Sequence, residues 1–456
     1  MKNKGFTLIE LLAVIVILAI IALIATPIVI NMIGSAKDSS DERSAELYLD
    51  AVEQAVARKN LTEEFSPSTC EIQSDGNLKC DGDTLLEVQV ENTKPTSGTI
   101  TFEKGKIIGY NFTLGSKENV KLVPTTESCF TTQDTDGGVS IIGYKCGSGA
   151  SNEVLDVVIP NTINGKTVVA IGEHAFQARV HTAHGIFEFY GMGLTSVVIP
   201  KGVASIGNDA FSGNKLTSIK IPSSVTTIGD SAFSGNKLTS VTIPTTVTTI
   251  GSSVFNNNQL PENQAFIYKR NKDGSVDKTE LVSYGGKKRD NVVIPNNVKI
   301  ISDFAFASNQ LTSVTIPSSV TTIGTSAFAN NKLTNVEIMD GVTNIGSYAF
   351  RGNQLTSVTI PSSTAVIENY AFDRNQLVNV VISEGVANIG AYAFSNNKIT
   401  SVIIPSSLKI LGNYVFANNQ LESVIVKGKS SKSQFESYGS SVFGWTYDDS
   451  NIIFEP

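Results

Sequence analysis

From Leu194 onward the chain repeats itself every 22 residues, as in LTSIKIPSSVTTIGDSAFSGNK at 216–237. A fixed period outranks local propensity as a guide to fold, because one such unit cannot bury its own apolar face and must stack on its neighbours. Equivalent strand cores fall at Ile159, Ile199, Ile221, Ile243, Ile294, Ile316, Ile338, Ile360, Ile382, Ile404 and Val426, which makes ten units and a terminal strand. Each unit reads L-x-x-V-x-I-P, then V-x-x-I-G, then A-F-x-x-N. Apolar residues two apart face the core of a short strand. Pro222 and its equivalents end the strand, having no N–H to donate. Gly229 and its equivalents are expected at a turn with positive φ. Phe211, Phe233, Phe255, Phe306, Phe328, Phe350, Phe372, Phe394 and Phe416 should stack as an internal spine, and the Asn three residues after each should bond turn backbone between coils.

This pattern resembles the BspA-type leucine-rich repeats of bacterial surface proteins over about 156–426. The resemblance implies a curved solenoid that binds proteins or host surfaces, with no catalytic role.

The first 60 residues need a different explanation. Leu11 to Ile30 is a twenty-residue run broken only by Thr26 and Pro27. As a helix it would span about 30 Å, the thickness of the hydrocarbon core. Lys2 and Lys4 precede it, which places the N-terminus on the cytoplasmic side. The run is too long for a secretory signal, and its alanines are wrongly spaced for signal cleavage. Glu10 stands at its start, where a carboxylate in hydrocarbon costs several kcal/mol and is therefore functional.

MKNKG, then FTLIELL, a long apolar helix and a proline resemble the class III signal of type IV prepilins, strongly over residues 1–60 and weakly over 61–125. The resemblance implies cleavage between Gly5 and Phe6 by a prepilin peptidase, N-methylation of Phe6, and retention of the helix. Glu10 matches the family's assembly glutamate and Pro27 its helix-kinking proline. Implied partners are other pilin subunits, contacted through this helix, and an inner-membrane assembly platform. Physically, Glu10 of one subunit could neutralise the Phe6 amine of its neighbour. Breaking such a buried pair costs about 3–5 kcal/mol.

The helix should continue to about Lys59, with Leu47, Tyr48, Ala51, Val52, Ala55 and Val56 forming an apolar stripe. Candidate strands to receive that stripe are 85–90, 99–102, 107–114 and 120–123. The fold class is therefore α+β followed by a β-rich solenoid: a pilin-like long N-terminal helix with a small antiparallel sheet, then about ten 22-residue repeats. The expected divisions are a leader at 1–5, the transmembrane and assembly helix at 6–60, and a pilin-like β region at 61–125. A cap hairpin at 126–155 follows, then repeats at 156–426 with insertions at 177–193 and 261–290, and a C-terminal cap at 427–456 that holds Trp445.

Cys70, Cys80, Cys129 and Cys146 are the only cysteines. Four allow three pairings. The spacings C-x9-C and C-x16-C match no metal pattern, so two local disulfides in an exported protein are expected. If Gly137-Gly138 forms a two-residue turn, Cys129 falls opposite Cys146 at a non-hydrogen-bonded pair, which suits a cross-strand bond. Cys70–Cys80 is the remaining bond.

The net charge of -7, with no basic block beyond Lys287-Lys288-Arg289, gives nucleic-acid binding little support, and no nucleic-acid partner is expected. His174, His181 and His184 cluster in the first insertion without a carboxylate at diagnostic spacing, and a surface loop is expected there. KRNKDGSVDKTE at 269–280 has a partial calcium-loop pattern, but Lys269 stands where a carboxylate is needed. A hairpin with an Asp-Gly turn is expected. No G-x-S-x-G, H-E-x-x-H, Walker loop or C-x-x-C occurs, so neither enzyme activity nor a cofactor is expected.

The outward strand positions are mostly hydroxyl-bearing until Val381, Ile403 and Ile425. These occupy successive equivalent positions about 5 Å apart and make a candidate partner-binding ridge. The expected role is a minor or tip subunit of a type IV pilus. It would start as a single-pass membrane precursor, then reach the cell surface and display the repeats to a host or environmental protein or glycan. A pseudopilin of a secretion-like or DNA-uptake apparatus, or a non-polymerising anchored receptor, is the alternative.

Overall fold

The structure is a computed structural model that describes residues 48, 51, 52, 55, 56, 59, 67–81, 84–88, 94–103, 106–114, 117–122, 126–146, 155–181, 187–431, 442 and 452–456. Gly5, Phe6, Glu10, Pro27, the run Leu11–Ile30, Leu47, His184 and Trp445 lie outside the described residues. Among those described, no helix is long and apolar enough to cross a membrane. The chain divides into two compact units, 1–124 and 125–456.

The second unit is a stack of coils built as the repeat dictates. Each coil contributes a short strand at I-G, such as Thr322–Ile323, Asn344–Ile345 and Val366–Ile367, and these pair in parallel with a 22-residue offset. Most also contribute a longer strand at V-x-I, such as Ser313–Ile316 against Asn335–Ile338. The internal Phe residues stack face to face. Phe211, Phe233 and Phe255 lie 5.3 and 5.5 Å apart, and Phe306 through Phe416 continue at 4.8 to 5.6 Å. Each contact adds about 0.5–1.5 kcal/mol beyond burial. Two rungs escaped the sequence reading: Phe176 stacks on Phe211 at 4.8 Å, and Tyr284 on Phe306 at 5.2 Å.

The asparagines lock adjacent coils. Asn331 donates to the carbonyls of Phe328 in its own coil and Phe306 in the preceding one, and its Oδ1 accepts from the Leu311 amide. Asn236 and Asn353 repeat the arrangement. One buried side chain thus satisfies backbone groups that would otherwise be left without partners.

The glycine of I-G has a different role from the one expected. Gly229 is not in the positive-φ region; a β-carbon on it would lie 2.6 Å from the Asn208 amide nitrogen of the preceding coil. The left-handed residue comes two positions later, at Ser231, Ser326, Tyr348 or Tyr370, with φ of 52 to 59°. Close stacking, and not the turn, therefore favours glycine there, although Ser302 and Glu368 stand at the same position in two coils.

The N-terminal hairpin Phe130–Thr135/Gly138–Tyr144 turns at Asp136-Gly137, not at Gly137-Gly138. Gly137 supplies φ 82°, while Gly138 is already in the strand, where a β-carbon would lie 2.0 Å from the Thr167 carbonyl oxygen. The bulge between Thr131 and Thr132 then shifts the register by one. Cys129 and Cys146 still bond, with Cα atoms 5.1 Å apart, although the Lys145 amide donates to the Cys129 carbonyl and so places Lys145, not Cys146, opposite Cys129.

Both insertions form hairpins. The first, expected as a loop, pairs Gln177–His181 with Phe187–Gly191. The second pairs Phe266–Arg270 with Val276–Tyr284 around a tip held by Asp273, which accepts from the Ser275 amide and hydroxyl. At the far end, Ile452–Glu455 adds in parallel to Ser423–Lys427.

The first unit contains a six-stranded antiparallel sheet that includes Thr69–Ile72, Leu78–Cys80 and Thr84–Leu86, then Gly98–Glu103, Lys106–Leu114 and Lys117–Leu122. The strands at 69–72 and 78–80 were missed because they are short and polar on alternate positions. Cys70 and Cys80 face each other in register and are bonded. Residues 48, 51, 52, 55, 56 and 59 are helical. Tyr48, Ala51, Val52, Ala55 and Val56 share one buried cluster with Cys70, Ile72, Leu78, Ile100 and Phe102. The Tyr48 hydroxyl donates to the Gly76 carbonyl at 2.9 Å, and burial raises its pKa above the ordinary phenol value.

Candidate partner-binding surface

On a parallel stack, alternate residues of each long strand face the core and the others form straight outward rows. The outward row at the end of the array contains Val381, Ile403, Ile425 and Ile453. Ile403 pairs with Ile425, and Ile425 with Ile453. Val381 sits on Asn379–Ile382, which pairs with Ser357–Ile360, and its strand packs beside Ser401–Ile404 without ladder pairing. Val381, Ile403 and Ile453 are 54%, 46% and 53% exposed, and Ile425 is half-buried. The sequence reading missed Ile453 because it lies 28 residues beyond Ile425, outside the 22-residue frame; the alternation in NIIF was its only signal.

The rest of the row differs in chemistry. It carries Val198, Lys220, Thr242, Val293, Thr315, Glu337 and Thr359 in turn. Val198 and Val293 are exposed aliphatic residues standing singly among polar ones, which is ordinary for a surface. Only the last four rungs make a continuous aliphatic strip. Its border is polar: Lys427 pairs in register with Glu455, and Glu384 accepts from the Ser406 amide and hydroxyl and the Ser407 amide. Those hydrogen bonds, led by the Ser406 amide, lower the Glu384 pKa.

A second row, also missed, runs along the left-handed position. Tyr348, Tyr370, Tyr392 and Tyr414 stack at 4.9, 4.8 and 5.1 Å, all half-buried. Arg351 lies over the Tyr348 ring at 5.5 Å and donates to the buried Asp373 carboxylate at 3.0 Å. The 22-residue recurrence of these tyrosines was visible in the sequence. Aromatic residues rarely adopt φ near 58°, so four in succession are chosen for the stack and against the backbone preference.

The remaining sequence candidates do not converge. His174 stacks on Phe189 at 4.0 Å and bonds Gln177 through Nδ1 at 2.7 Å; His181 ends the strand Gln177–His181. In the 269–280 hairpin, Asp277 accepts from the Thr279 amide and hydroxyl, and Glu280 pairs with Lys269 at 2.7 Å. No group of three His, Cys, Asp or Glu side chains among the described residues is placed to hold a metal.

A parallel stack with an aromatic spine, an asparagine ladder and an outward strand row defines a leucine-rich-repeat solenoid. The BspA type leucine rich repeat region matches residues 182–270, 282–372 and 343–455, more than half of the chain, which therefore belongs to that family. The prokaryotic N-terminal methylation motif matches residues 1–26. The chain joins the two.

Among solved structures, it is similar to a leucine rich cell surface protein from Faecalibacterium prausnitzii A2-165, with 21% identity over 69% of this chain and 97% of that one, at a TM-score of 0.38. A leucine-rich repeat protein from Bacteroides ovatus ATCC 8483 gives 22% identity over 72% and 77%, with a TM-score of 0.33. The pneumococcal vaccine antigen PcpA gives 19% over 72% and 96%, with a TM-score of 0.37. No curated protein matches the sequence.

Proposed function

We propose that the protein is a type IV pilin-like subunit, minor or at the tip, whose solenoid binds a partner at the bacterial surface. The observation that carries this reading is the methylation motif at residues 1–26 on the same chain as a surface-type repeat array. The motif supports processing between Gly5 and Phe6 by a prepilin peptidase, export from the cytoplasmic membrane and assembly through Glu10. The packing of Tyr48, Val52 and Val56 on an antiparallel sheet fits the pilin plan. The strip Val381–Ile403–Ile425–Ile453 is the partner edge, because an exposed aliphatic row bordered by charges resembles the apolar centre and polar rim of a protein interface.

Two variants in the producing cell test the two halves of this proposal. Glu10→Ala should abolish recovery of the protein in sheared fibres while leaving it in the membrane fraction; unchanged recovery overturns the pilus assignment. Ile403→Asp should leave fibre incorporation intact and lower adhesion at least tenfold. Full adhesion by that variant removes the strip from the interface.

A further inference from the structure

The left-handed row carries an aromatic residue in five of six successive coils: Phe304, Tyr348, Tyr370, Tyr392 and Tyr414, with Ser326 between the first two. The six backbones are alike. Their φ lies between 52 and 59°, and the amides of Phe304, Ser326 and Tyr348 each donate one coil on, to Thr325, Ser347 and Asn369. Side chains at these positions therefore leave the coils in parallel, as the tyrosine stacking at 4.8 to 5.1 Å requires. Ser326 interrupts one aromatic column by a single rung.

The width of the interruption follows from the spine. Phe306, Phe328 and Phe350 of the same three coils stand 4.8 and 5.1 Å apart. Phe304 and Tyr348 are thus two strand spacings, about 10 Å, from each other. Both are accessible. Phe304 is 47% exposed and makes no ring contact among the described residues, and Tyr348 is half-buried with one face on Tyr370. The Phe304 carbonyl accepts from Ser253 Oγ and Asn256 Nδ2, which fixes that wall. Arg351, which borders the Tyr348 ring, reaches to Asp373 of the following coil and not toward Ser326.

Polar groups are left over beside the missing rung. The half-buried Ser326 and Thr325 hydroxyls make no hydrogen bond among the described residues. Asp303 is exposed and uses one carboxylate oxygen, which accepts from the Thr325 amide at 2.6 Å; the other has no partner among the described residues. Three residues on, Ala307 and Ala329 bond back to the Phe304 and Ser326 carbonyls and are too small to fill the space. We infer that Ser326 floors a slot for one planar aromatic ring carrying a hydrogen-bond donor, a phenol or an indole, stacked between Phe304 and Tyr348. A ring midway lies about 5 Å from each wall, inside the 4.5–7 Å range of favourable aromatic pairs. Its donor is received by Asp303 or Ser326. Two sources present that chemistry: a free aromatic molecule, and a tyrosine or tryptophan side chain of a partner polypeptide. The inference does not rest on the pilus assignment, and the slot lies on a different row from the aliphatic strip.

Saturation-transfer NMR on the full chain with p-cresol, N-acetyl-tyrosinamide and methyl glucoside tests it. The ring protons of both phenols should be saturated and the sugar's should not. Phe304→Ala should weaken phenol binding at least threefold. Ser326→Tyr should abolish it by filling the slot and should raise the urea midpoint, because four other coils already hold Tyr in this backbone conformation. Tighter binding of p-cresol identifies a free ligand, and tighter binding of N-acetyl-tyrosinamide a partner side chain. Absence of phenol binding, preference for the sugar, phenol binding unchanged by Ser326→Tyr, or a lowered midpoint in that variant overturns the proposal.

Discussion

The hexapeptide LTSVTI occurs at 238–243, 311–316 and 355–360, yet the first copy is built differently from the other two, of which 311–316 serves for comparison. At 313–316 it is a four-residue strand between Val292–Val293 and Asn335–Ile338, with Val314 and Ile316 buried. At 238–243 only the isolated bridge Lys220↔Thr242 forms, Val241 donates to the Gln264 side chain, and Val241 and Ile243 are partly exposed. The local sequence is the same; the neighbouring coil is not. The second hairpin interrupts the long-strand row beside the first copy, so its edge has no full partner. A strand in a solenoid is a property of two adjacent coils, and identical residues become strand or extended loop according to what lies beside them.

The comparison can be broken most forcefully through the spine. Phe328 stacks on both neighbours, whereas Phe255 stacks on Phe233 alone among the Phe rungs. Phe328→Ala should lower stability by about 3–5 kcal/mol, and Phe255→Ala by less, as measured by urea unfolding. Equal costs would mean that the two halves are equally well packed.

Deleting 261–289 sharpens the contrast. It joins Leu260 to Asp290 and restores the frame L-D-N-V-V-I. Val241 should then meet a backbone partner, and hydrogen exchange in the 238–243 peptide should slow at least tenfold. Unchanged exchange would place the cause in the segment itself.

The smallest effect concerns Tyr284, whose pKa is pushed up to about 12, chiefly by burial. A raised phenol favours the folded state below its ordinary value near 10, and that contribution is lost as pH rises from there to about 12. Tyr284→Phe should cost about 1 kcal/mol at neutral pH through the lost bond to the Lys288 carbonyl. It should also flatten part of the alkaline fall in stability, read from urea midpoints between pH 9 and 11. An identical alkaline profile would remove Tyr284 from that titration.

Much of the molecule was legible as period. The nine spine phenylalanines, the asparagine ladder and the outward row follow from spacing, because each depends on residues at fixed offsets; the Cys129–Cys146 bond forms although the turn that suggested it lies one residue earlier. Tyr348, Tyr370, Tyr392 and Tyr414 are equally periodic, but recurrence alone does not separate a half-buried stack from single surface residues. Phe176, Tyr284 and Ile453 were hidden by insertions that displace them from the frame. The glycine of I-G was misread because a turn and a close approach leave the same residue in the sequence; only the distance from Gly229 to Asn208 separates them.

By itself the sequence determined that the coils stack and which residues they bury, since a 22-residue period leaves one face of every unit needing a neighbour. The tertiary structure alone decided where that stacking fails: which copies of LTSVTI become strand, and which is left with a single bridge. Those outcomes depend on contacts between residues tens of positions apart, which no local pattern encodes.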